Sequence, residues 1–213
     1  MIRFIIFILV FPLGISCSFN LFDVILNICK SVNTHFFFLI GTSFSIVVLL
    51  FFKTRFNFFS TFEHELTHNI WAIVFFRKPM GFHVNNDGTG LFEYEAGSRF
   101  SNVFILLSPY YFPTVCFMWL PFHIVWKEEY YWFYFLMMGI FFGYHVMSTI
   151  QETGSHQSDI SSNGVFYSYL IFIPLYVVFN GIILAHLDNG FTGVYEFIYS
   201  GHLNNLEFMT TFF

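Results

Sequence analysis

Long apolar runs, separated by short polar stretches, divide the chain into six segments: 4–28, 36–52, 58–76, 100–126, 130–150 and 165–187. A helix that crosses a bilayer needs about 20 predominantly apolar residues, and the runs come close to that length. The first contains Pro12, and its start, Met1-Ile2-Arg3 followed by apolar residues, also fits a signal peptide. The return of apolar character from Phe19 to Ile28 favours a retained helix. The fourth segment is broken by Pro109, Pro113 and Pro121, and the sixth contains Pro174. The third is unusual, because Ser60, Thr61, Glu63, His64, Glu65, Thr67, His68 and Asn69 make its first half polar.

Between the third and fourth segments lies the most polar stretch, Arg77 to Arg99. Pro79 predicts the end of the preceding helix. Phe82-His83-Val84 and Leu91-Phe92-Glu93-Tyr94-Glu95 flank a turn containing Asp87-Gly88. That arrangement predicts a β-hairpin. Residues 151–163 read as a loop rich in Ser and Gly, and the pattern beyond Asp188 is too weak to assign. With no repeat and no linker, the chain reads as one membrane-embedded domain over residues 1–213, with its core at about 36–187.

Composition narrows the class. The chain is 56% hydrophobic and 10% charged, where soluble domains carry about 25% charged residues. That excludes an ordinary soluble enzyme and a disordered chain. A net charge of -5 and the lack of any basic run argue against nucleic acid as a partner. The expected fold is an all-α integral membrane protein, a bundle of about six transmembrane segments with a short β-hairpin insertion. Six spans put Arg3, Lys53, Arg55 and Lys127 on one face and Lys30, Arg77, Lys78 and Arg99 on the other, so charge sets no orientation. Cys17, Cys29 and Cys116 form no motif and read as small hydrophobes.

His64-Glu65-Leu66-Thr67-His68 fits the pattern HExxH. On a helix, residues i and i+4 share a face about 5–6 Å apart. Two imidazoles so placed can take two positions of a tetrahedral zinc. Glu65, one residue round, can take a proton from a water that the metal polarises. Charged residues cost about 2.5–3.5 kcal/mol each at the centre of a bilayer. The crowding of Glu63, His64, Glu65 and His68 therefore calls for compensation, and a metal supplies it. A plainer reading stands beside this one: Ser60-x-x-Glu63 fits a capping box, which would make the cluster the first turns of a helix at the interface.

The block from Phe62 to Trp71 resembles the metal-binding helix of the site-2 protease family, the intramembrane zinc metallopeptidases, and in particular its small bacterial multi-span members. The likeness extends through the hairpin at Gly81–Tyr94, Ser108-Pro109-Tyr110 and Gln157-Ser158-Asp159, roughly from Phe58 to Pro174. The resemblance implies His64 and His68 as zinc ligands and Glu65 as catalytic base. It also implies a distant aspartate as third ligand. The family's usual Asp-Gly motif is missing from the sixth segment, and Asp159, Glu152 and Asp188 are the acidic candidates. Ser158-Asp159-Ile160 is similar to the short aspartate motif of the smaller members, which selects Asp159. Glu152 as ligand would instead indicate a membrane protease of the prenyl-protein type. His145 and Glu152 lie seven residues apart on one helix face. Together with His156 they are candidates to line the site and orient its ligands.

The resemblance implies a multi-pass enzyme of the bacterial cell membrane. It would cleave membrane-tethered or membrane-embedded proteins with Zn2+, after the substrate helix unwinds. The hairpin could receive such a substrate as an added strand. A metal-binding membrane protein or transporter without proteolytic activity is the alternative. His35, His83, His123, His186 and His202 lie near segment ends or in loops and read as interfacial.

Overall fold

The structure, a computed structural model, describes residues 2–52, 57–85, 89–95, 97–154 and 157–212, and of these only the backbone for 57 and 201–212. The elements in order are α1 (Ile2–Lys30), α2 (Val32–Phe52), α3 (Asn57–Val74), β1 (Pro79–Val84), β2 (Gly90–Tyr94) and α4 (Arg99–Tyr111). They continue with α5 (Thr114–Trp119), α6 (Phe122–Val125), α7 (Tyr131–Glu152), α8 (Ser158–Asn163) and α9 (Val165–Phe212).

Among the described residues, four stretches of helix are long and apolar enough to cross a membrane: α1, α2, Glu128–Glu152 around α7, and Val165–Ser200 within α9. Phe4, Leu9, Phe19 and Phe22 on α1, Phe44, Leu50 and Phe51 on α2, and Phe166 on α9 are all exposed. Apolar surface on that scale suits contact with lipid and not with water. The architecture is that of an all-α, multi-pass membrane protein carrying one small hairpin. The fourth expected segment is a broken one. The pair made by Arg99–Tyr111 and Thr114–Val125 is bent by 81°. Phe112, held extended at ψ 112° by the proline that follows it, sits at the break. The third segment, α3, stands outside the set of apolar spans because its polar first half dilutes it.

Close helix approach follows from small residues. Gly139 and Gly143, four apart on α7, face α2. A side chain at Gly139 would meet the Phe38 carbonyl, and one at Gly143 would lie 2.6 Å from the Thr42 carbonyl. Small residues at this spacing let backbones touch where lipid offers no hydrophobic drive to associate. α1 lies along α9 in the same way, with Gly14 against Pro174. Asn27 Nδ2 donates to Asp188 Oδ2 at 3.4 Å.

Two element ends differ from expectation. The helix before the hairpin ends at Val74, not at Pro79. Phe76 adopts φ +56°, and the Arg77 N–H reaches back to the Ala72 carbonyl at 2.7 Å. Pro79 opens β1 instead, where a missing N–H is tolerated. The unassigned tail beyond Asp188 is helical. Asn189 and Gly190, the latter at φ +58°, interrupt α9, and glycine takes that backbone without steric cost. A side chain at Gly181 would meet the Phe197 ring, and one at Gly193 the Ala185 carbonyl. A straight helix would hold residues 181 and 197 about 24 Å apart, so α9 folds back on itself at the break.

The hairpin forms where expected. β1 and β2 pair antiparallel, with His83 opposite Leu91 and Val84 opposite Gly90. Asn85 N–H donates to the Thr89 carbonyl at 2.8 Å. The Asp87-Gly88 turn lies outside the described residues. One core cluster joins α1, α4, α8 and α9 through Ile6, Val10, Leu107, Ile160 and Ile171. A second joins α2, α5, α7 and α9 through Phe38, Cys116, Met138 and Ile183.

Candidate metal centre

Helical spacing on α3 sets the first two donors. The rings of His64 and His68 lie 4.9 Å apart, centroid to centroid, on one face. α8 supplies the third from its first turn. Asp159 Oδ2 lies 3.2 Å from His64 Nε2 and 3.5 Å from His68 Nε2. All three ligating atoms fall within 4.8 Å of one another, the one such group of His, Cys, Asp and Glu among the described residues.

The spacing can be tested against zinc. With bonds of about 2.0–2.1 Å, tetrahedral ligand atoms stand about 3.3–3.4 Å apart. The two histidine-to-aspartate distances bracket that value. Two imidazoles and one carboxylate, with a side open to a cavity, match the donor set of a catalytic zinc.

Each donor is held from behind. His68 Nδ1–H donates to the Ile105 carbonyl of α4 at 2.7 Å, and Phe92 of β2 lies parallel to the ring at 5.8 Å. His64 Nδ1 lies 3.2 Å from Glu152 Oε2, at the end of α7. Tyr110 OH donates to Asp159 Oδ2 at 3.4 Å. Burial works against the charge on Asp159, but the His64 and His68 rings beside it outweigh that and hold the carboxyl well below its usual pKa.

The cluster opens on a cavity of about 450 Å³ lined by residues of α3, β2, α7 and α8, Glu65 among them. Glu65 packs beneath β2. A Cβ at Gly90 would lie 2.5 Å from its Oε1, so glycine there leaves the carboxylate room. Gln157 and Ser158, at the start of α8, share this cavity with Gly90, Leu91 and Phe92 of the hairpin.

Other candidates fall elsewhere. His145 is 2% exposed, stacks on Tyr176 at 5.5 Å, and is not among the residues lining the cavity. Sharing a face with Glu152 does not bring it to the site, because seven residues are about 10 Å of helix. His156 lies outside the described residues. Asp188 stands about 35 Å along α9 from its start, with its Oδ1 3.7 Å from His35 Nε2. His35 and His186 are buried, at 2% and 3% exposure. The capping box is not formed. α3 starts at Asn57, and the Ser60 hydroxyl, inside the helix, donates to Glu152.

Ser60, Tyr110 and the Ile105 carbonyl have no site-bearing pattern of their own in the sequence. Ser-Pro-Tyr at 108–110 was the single hint, through the resemblance. Compared with known proteins, the chain matches no family model, no curated protein and no solved structure.

Proposed function

We propose that the protein is a zinc-dependent intramembrane endopeptidase of site-2 type, acting on membrane-tethered protein substrates in a bacterial cell membrane. The observation that carries the reading is the convergence of His64, His68 and Asp159 beside Glu65, in a cavity within a membrane protein. His64 Nε2, His68 Nε2 and an oxygen of Asp159 would hold the metal. Zinc, when bound, acts as a Lewis acid that makes water a nucleophile near neutral pH.

Glu65 lines the same cavity without belonging to the ligand group. Its carboxylate takes the proton from the attacking water and delivers it to the leaving amine. An extended substrate segment fits along β2, where Gly90, Leu91, Phe92 and Tyr94 form one wall. Strand addition supplies backbone hydrogen bonds to a peptide that has lost its helical ones. α3 would insert among the apolar helices with its polar face turned to the cavity. Intramembrane polar groups are accommodated where they line such a space.

The test uses purified full-length protein in detergent or liposomes with a membrane-tethered reporter substrate. The wild type should hold about one zinc per chain and cleave the reporter. Glu65→Gln should keep the zinc and lose cleavage. Clear residual cleavage by that variant removes the assignment of the base, and a wild type that binds zinc without hydrolysis points to the non-proteolytic alternative.

A further inference from the structure

Glu152 ends α7, with its carboxylate divided between two residues of α3. Ser60 Oγ donates to its Oε1, and its Oε2 lies 3.2 Å from His64 Nδ1. Ser60, His64 and His68 follow one another at i, i+4 and i+8, so a single helix face presents both the contact that pins Glu152 and the histidines. A carboxylate at a helix C-terminus is disfavoured by the helix dipole. The position therefore does nothing for α7 itself, and the contact with α3 is its compensation.

We infer that Glu152 is a positioning residue for His64, fixing the imidazole so that Nε2 is the nitrogen offered to the metal. The inference rests on the proposed metal centre and deepens it. The two histidines are oriented by different means. His68 has a backbone carbonyl at Nδ1, 2.7 Å away, which any sequence at position 105 would supply. His64 depends on a side chain from another helix. A carboxylate accepts and cannot donate, so its contact places the proton of a neutral His64 on Nδ1. The ring then has its lone pair on Nε2, directed toward Asp159 and His68. A carboxylate at this place also raises the basicity of the ligand nitrogen.

The experiment measures zinc affinity by chelator competition on full-length protein, together with the visible absorption of the cobalt(II)-substituted site. Glu152→Gln keeps the shape and loses the charge. It should weaken zinc binding about 10-fold, and Glu152→Ala up to about 100-fold. Both should alter the cobalt spectrum while thermal unfolding of the metal-free protein stays near wild type. Ser60→Ala should give a smaller loss in the same direction. Wild-type affinity and an unchanged cobalt spectrum in Glu152→Gln overturn the inference. So does a Glu152→Gln variant that binds no zinc beside a normal Asp159→Ala, since Glu152 would then be a ligand itself. A wild type that takes up no zinc sinks the underlying reading instead, and the wild-type control separates the two failures.

Discussion

At one end of the bundle, His64, His68 and Asp159 bring three ligating atoms within 4.8 Å of one another. At the other, His35 stands 3.7 Å from Asp188, and the rings of His123 and His186 lie 5.0 Å apart. The residue types are nearly the same. At the first end two histidines come from one turn of one helix, and a single carboxylate from α8 completes the group. At the second end each histidine comes from a different helix, and the pairs form no three-ligand group. A neighbouring cavity there, between α1 and the fold-back of α9, is lined by Asn20, Asp23, Asn27 and Asp188, with no histidine among the described residues. Convergence, and not the supply of ligand types, separates a candidate site from a set of buried polar pairs.

The largest effect should come from removing the histidines at each end. His64→Ala with His68→Ala should abolish zinc binding, while His35→Ala with His186→Ala should leave the metal content at about one per chain. Metal analysis of the two purified double variants decides it, and equal zinc loss from both would erase the contrast. The carboxylates come next. Asp159→Ala should weaken zinc at least about tenfold and stop cleavage, because a catalytic zinc needs three protein ligands. Asp188→Ala should leave zinc affinity as it is and cost about 1 kcal/mol of stability or less. A proteolytically normal Asp159→Ala beside a dead Glu152→Ala would move the protein out of the site-2 class.

A third pair contrasts two glycines. Gly90→Val should push Glu65 aside and lower the cleavage rate about tenfold with zinc content unchanged. Gly193→Val meets the Ala185 backbone and should cost about 1–3 kcal/mol of stability, with normal turnover per folded molecule. Thermal unfolding and kinetics on the same samples separate the two. The smallest perturbation is labelling. In a Cys29→Ser background, single cysteines at Leu91 and Gln157 should react from the same side of the membrane, and one at Asn27 from the other. Labelling of 91 and 157 from opposite sides would contradict the shared cavity.

Much of the site was legible along the chain because it is local. His64, Glu65 and His68 lie within five residues, and helical geometry alone puts the two histidines on one face. Asp159 was reachable through the likeness of Ser158-Asp159-Ile160 to the short aspartate motif of the family that the chain resembles. His145, on the helix face that carries Glu152, stacks on Tyr176 about 10 Å further along the helix. The parts that hold the ligands stayed hidden, since Ser60 looks like a helix cap, Tyr110 like one more aromatic, and a backbone carbonyl carries no sequence signal. The count of spans was similarly unstable. Prolines at 109, 113 and 121 announce breaks, but the bend they produce depends on what packs around it.

Hydropathy and spacing by themselves determined a multi-pass helical membrane protein, a hairpin near residues 79–94, and a pair of candidate ligand histidines on one helix. Those properties follow from the local chain, through transfer free energy and a 3.6-residue repeat. Only the tertiary structure decided that Asp159 and not Asp188 meets the histidines, that Glu152 stands behind His64, and that the tail folds back at Gly190. These are contacts between residues up to about 95 positions apart, and such contacts are set by how the helices pack, which no local pattern encodes.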